Sequence, residues 1–198
     1  MFKRNGSTWS EIAKLKAANA EQEDSLGIAV AISNDGNTVA AGALDEDGLT
    51  TGVNSTPVPD VHENTFAGAA YVFVREGDAW SQQAYIKSTN ISPNDWFGSR
   101  LALSADGNTL AVSAQLEDSA SQGIGGRQDD DSATESGAVY LFTRNNNAWT
   151  QDAYVKGANT ENYDEFGSSI SLSGDGSMMA VGARGEDSAT VGINATQD

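Results

Sequence analysis

The chain has no cysteine among its 198 residues, which excludes a disulfide framework, a thiolate metal site and a cysteine nucleophile. Histidine is nearly absent too. His62 is the only one and lies in the irregular stretch STPVPDVHENT, so no Ser-His-Asp set can be assembled around it. Basic residues are scarce, 11 against 28 acidic ones, and the resulting formal charge of −17 makes nucleic acid and anionic membrane surfaces poor partners. Cations and basic partners are the natural counterparts, alongside the plain alternative of a solvated acidic surface. No apolar run approaches the roughly 18 residues of a membrane span, and MFKRNGSTWS lacks the apolar stretch of a signal peptide.

What the chain does contain is a repeat. Trp9, Trp80 and Trp149 open three copies of one pattern, and the second and third copies share 23 identities over 45 ungapped positions. That length of self-similarity implies a stack of similar units. Gly27, Gly98 and Gly167 recur in register, as do Asp35, Asp106 and Asp175 and the pairs Glu46/Asp47, Glu117/Asp118 and Glu186/Asp187. The chain is read as a single array over 1–198, with repeats at approximately 9–79, 80–148 and 149–198, the last one truncated. Its opening residues match the inside of a repeat (FVREGDAW, FTRNNNAW), so a longer parent is expected.

Within each copy, apolar residues run in short segments punctuated by Gly, Asp, Asn and Ser, which is the spacing of strands. In the second copy the segments fall at 80–87, 97–104, 109–115 and 136–144. The second and third of these are joined across Asp106-Gly107-Asn108, where an Asp-Gly pair supplies positive φ at little steric cost. In GAVYLF both alternating faces are apolar, so both sides of the sheet require cover. The expected fold class is therefore all-β: a β-propeller of four-stranded antiparallel blades, with two full blades flanked by two half-blades. The half-blades carry unpaired edges, and self-association through them is expected.

These residues resemble the FG-GAP repeats of integrin α-subunit-type β-propellers, in their bacterial form. Phe97-Gly98 and Phe166-Gly167 supply the Phe-Gly of the motif, with Leu26-Gly27 as a variant. Gly42-Ala43 and Gly182-Ala183 supply the Gly-Ala, with Ser113-Ala114 between them, and Leu44, Gln115 and Arg184 stand where the family has proline. The resemblance implies a calcium loop of the pattern D-x-D-x-D-G-x-x-D before the Gly-Ala strand. Only Asp35, Asp106 and Asp175 of that pattern are present, too few oxygens for a cation that takes six to eight, and they are read as turn formers.

The long acidic loops are the better place for a cation. Candidate Ca2+ ligands are Glu117, Asp118, Asp129 and Asp131 in the second copy, with Asp47 and Asp187 at the equivalent places in the others. Opposed to this is a reading in which Asp47, Asp118 and Asp187 cap local backbone amides. Trp9, Trp80 and Trp149 are expected to anchor outer strands against neighbouring blades, and Phe97 and Phe166 to lie in the core. Trp96 occurs in one copy only, where the others have Ser25 and Glu165, and is the one aromatic singled out for ligand contact.

The resemblance and the loops together imply a noncatalytic extracellular or cell-surface scaffold for binding or adhesion. Its partner would be a protein or glycan ligand at the acidic loops, with calcium dependence as an option, no nucleic acid and no membrane insertion. An accessory propeller of a larger secreted enzyme and a carbohydrate-active propeller enzyme remain as alternatives.

Overall fold

The repeated turn Ser-x-Asp-Gly determines where each inner hairpin folds back. Asp35 Oδ1 accepts the Ser33 hydroxyl at 2.6 Å and the Asn37 N–H at 2.9 Å, while Ser33 Oγ accepts the Thr38 N–H at 3.0 Å. Gly36, at φ 71°, takes the left-handed conformation that closes the turn. Ser104 and Asp106, then Ser173 and Asp175, repeat the arrangement with the same donors and acceptors. These hydrogen bonds lower the pKa of all three aspartates, that of Asp175 to about 2. They are turn formers, as their spacing implies.

In the computed structural model, residues 1–56, 65–189 and 193 are described. Twelve strands and no helix occur among them: β1 (Phe2–Asn5), β2 (Thr8–Glu11), β3 (Val30–Ile32), β4 (Thr38–Ala43), β5 (Ala69–Glu76), β6 (Ala79–Ile86), β7 (Phe97–Leu103), β8 (Thr109–Ala114), β9 (Ala138–Asn145), β10 (Ala148–Val155), β11 (Phe166–Leu172) and β12 (Met179–Ala183). Strands β3 to β6 form one antiparallel four-stranded meander and β7 to β10 a second, while β1–β2 and β11–β12 are two-stranded. The chain is thus all-β, with two complete propeller-type blades between two half-blades. Strand β2 pairs with all four residues of β1, and the pairing is extended by the Ile12 N–H, which donates to the Met1 carbonyl at 3.0 Å.

Blade packs on blade by setting large residues against small ones. Phe97, Tyr140 and Phe142 of the second blade share one core cluster with Ala40, Ala70 and Ala84 of the first. The Phe-Gly and Gly-Ala dipeptides meet at this seam. A Cβ placed on Gly42 would lie 1.9 Å from the Gly98 carbonyl oxygen, and one placed on Gly98 would lie 2.2 Å from that of Ala69. Only glycine admits backbones this close. In the third unit the seam is looser: Phe166, expected in the core, is half-buried against a smaller cluster.

The tryptophans differ according to their neighbours. Trp149 is buried, donates its indole N–H to Gln83 Oε1 at 2.9 Å and lies under the Arg144 guanidinium, 5.3 Å from its centroid. Trp80 is half-buried against the first blade's cluster. Trp9, expected to pack in the same way, is 64 % exposed, because no described element precedes it on that side.

Candidate functional site at the loop end

Strand β8 leads into a long loop that returns at β9, and the base of this loop is built around one carboxylate. Glu117 is 1 % exposed. Its Oε2 accepts Lys156 Nζ at 2.7 Å and the Ser119 N–H at 3.2 Å, and its Oε1 accepts the Tyr154 hydroxyl at 2.8 Å and Asn90 Nδ2 at 3.0 Å. Asn90 Oδ1 accepts the Tyr140 hydroxyl at 2.6 Å, and Lys156 also donates to Ser136 Oγ at 2.6 Å. Burial lowers the Lys156 pKa, opposed by the charge of Glu117. The Tyr154 and Tyr140 hydroxyls are pushed well above the ordinary range, first by burial and then by the same negative charge.

The first blade repeats the device: Glu46 is buried, accepts the Tyr85 hydroxyl at 2.7 Å and pairs with Lys87. In the third unit Glu186 keeps the asparagine contact, Asn159 Nδ2 at 2.9 Å, and accepts the Ser188 N–H at 3.1 Å, but is exposed. The lysines escaped the sequence reading, although Lys16, Lys87 and Lys156 each follow their tryptophan by seven residues. The acidic pairs were read without them because lysine and glutamate stand 39 residues apart in the second blade.

The carboxylates singled out for calcium lie as follows. Asp118 Oδ1 accepts the Glu135 N–H at 2.7 Å, and Asp47 Oδ1 accepts the Phe66 N–H at 2.8 Å and Thr65 Oγ1 at 3.2 Å, so both cap backbone amides of the returning loop. Glu117 is held by Lys156. Asp129 pairs with the exposed Arg127, which lowers its pKa, while Asp131 and Asp187 are exposed. Among the described residues, no three of His, Asp and Glu gather in a way that could hold a metal ion. His62 lies outside the described residues.

One further buried carboxyl is Asp95, 1 % exposed, whose Oδ2 accepts the Ser92 N–H at 2.9 Å. Burial pushes its pKa up to about 8, the Ser92 N–H opposes this, and the charges of Glu117, Asp118 and Asp131 reinforce it. Asp24 and Asp164 repeat the same turn, each accepting an N–H from three residues upstream.

Trp96 follows Asp95 directly and sits at φ 57°, a conformation that Ser25 and Glu165 share in the other copies. Its backbone N–H reaches the Phe66 carbonyl at 3.3 Å. The half-buried indole lines an open cleft of about 550 Å³, together with Ile28, Leu44, Arg100, Leu116 and Arg184. All three units contribute to this lining. The residues come from the starts of first strands and the ends of second strands, so the cleft lies at the end of the array from which the long loops emerge. Ile28 is 50 % exposed, and Arg184 pairs with Glu165 at 2.5 Å at the rim. An aromatic face with aliphatic walls, bordered by Arg100, Arg184, Glu135 and Glu165, suits a ligand that offers both an apolar surface and hydrogen-bonding groups.

No helix among the described residues is long and apolar enough to cross a membrane. In comparisons with known proteins, the sequence model described as FG-GAP repeat matches residues 9–73, 80–142 and 149–195. No curated protein matches the chain.

Proposed function

The chain belongs to the FG-GAP repeat family, and on that premise we propose that it is a noncatalytic binding or adhesion scaffold of the extracellular space or cell surface, taking a protein or glycan ligand at its loop end. The observation that carries this reading is the Trp96 cleft, a concavity assembled from all three units in which an indole and aliphatic side chains stand beside two arginines and two glutamates. Rigid blades carrying loops on one end are a common platform for recognition. The noncatalytic reading is supported by the way the carboxylates at the bases of the two long loops are used. Glu46 and Glu117 are tied to lysine and tyrosine, and Asp47 and Asp118 to backbone amides, so all four serve to hold loops.

A glycan and peptide array tests the proposal. Ligands retained by the native chain should be lost with Trp96→Ala and kept when Asp129 and Asp131 are changed to Asn. If Trp96→Ala leaves all detected binding intact, the reading fails.

A further inference from the structure

Each complete blade pairs its second strand with its third and sets the lysine that follows its fourth strand on the glutamate that follows its second. Each half-blade holds one side of that arrangement. β11–β12 correspond to the first and second strands and carry Glu186; β1–β2 correspond to the third and fourth and lead to Lys16. Among the described residues, nothing pairs with the outer edge of β12, and Lys16 is exposed with no ion-pair partner. We propose that the half-blades of two copies of this 198-residue chain complete each other, β1–β2 of one copy adding to β12 of the other and Lys16 pairing with Glu186.

The register follows from the complete blades. Val39 faces Phe73 and Leu110 faces Phe142, which sets Met179 opposite Phe2. In the same frame the Arg75 and Arg144 N–H groups reach the carbonyls of Asn37 and Asn108, so that of Arg4 reaches Ser177. Phe2 and Trp9 are each 64 % exposed and Met178 is 73 % exposed, whereas Phe142 and Trp149 in the complete blade are at 0 % and 4 %. Addition of a hairpin to an open sheet edge would bury these apolar residues and satisfy the free ladder groups together.

Charge selects a second copy as the occupant. Residues 1–16 hold four of the chain's 11 basic residues, Lys3, Arg4, Lys14 and Lys16, against the single acid Glu11. Residues 157–189 hold six acids, Glu161, Asp164, Glu165, Asp175, Glu186 and Asp187, against the single base Arg184. Two copies meeting head to tail bring these surfaces together twice and close on themselves, with four complete and two composite blades. The proposal stands apart from the ligand reading and does not depend on it.

Sedimentation velocity across a concentration series tests it. The native chain should show a monomer–dimer equilibrium. Lys16→Glu and Glu186→Lys should each weaken the dimer by about tenfold or more, since each sets like charges in contact. In an equimolar mixture of the two variants, the two substituted side chains, again of opposite charge, face each other across one junction and the native pair faces across the other, so dimerisation should return. Both positions are exposed, and unchanged far-UV circular dichroism confirms that each variant folds. A native chain that is monomeric at every concentration overturns the proposal. So does a dimer that neither charge reversal weakens, or a mixture that stays monomeric.

Discussion

Lys156 and Glu117 meet at 2.7 Å with neither side chain open to water, their accessibilities being 0 % and 2 %. The same pairing holds Lys87 to Glu46 one blade earlier. An ion pair this deep gains little net stability, because desolvation offsets much of the attraction, but it is costly to break. Its effect is to fix the base of each long loop against the fourth strand, with Tyr154, Ser136 and Asn90 completing the hydrogen bonds.

Removing one partner should therefore cost far more than neutralising both. Lys156→Met leaves Glu117 buried without a counter-ion and should lower unfolding free energy by about 3–5 kcal/mol. Adding Glu117→Gln to that variant should recover a large part of the loss. Urea unfolding of the native chain, both single variants and the double variant measures the coupling. A double variant that loses the sum of the two single losses would show the pair to be energetically independent.

Asp95 gives the fold a pH dependence of defined sign. Its folded carboxyl holds a proton up to about pH 8, whereas the ordinary value is 3.8, so the native state binds the extra proton across that window. This contribution is present at low pH and is lost as pH rises through the window. Asp95→Asn keeps an acceptor for the Ser92 N–H without the charge. The variant should match the native chain near pH 4 and exceed it near pH 8 by roughly a few kcal/mol. Melting curves at the two pH values check this, and a constant difference between the two proteins would refute it.

Calcium should bind weakly or not at all at the loop carboxylates, since Glu117, Asp118 and Asp47 already have partners within the protein. Calorimetry after chelation should show no saturable heat and no change in melting temperature. A clear rise in melting temperature on adding calcium would mean that the loops rearrange to release these oxygens.

The architecture was largely legible in the sequence because the period, the Asp-Gly turns and the apolar alternation all point to the same strands. β7 to β9 lie within two residues of where the pattern placed them. The loop chemistry was not legible to the same degree. Glu117 reads as a free ligand until β10 brings Lys156 and Tyr154 beneath it, and no local pattern announces a partner so far along the chain. Trp96 stood out only as an aromatic without counterparts. Its cleft comes from Ile28, Leu116 and Arg184, residues brought together solely by the stacking of units. The exposure of Trp9 shows the reverse limit: the repeat marks its position, but burial depends on a neighbour that the position itself does not supply.

The four tryptophan indoles provide the most direct test of the binding account, because each gives its own N–H signal in a two-dimensional NMR spectrum. On titration with a ligand selected from the array, the Trp96 signal should shift and saturate, while that of Trp149, held by Gln83, stays in place. A saturating shift confined to the other tryptophans, with Trp96 unmoved, would contradict recognition at the loop-end cleft.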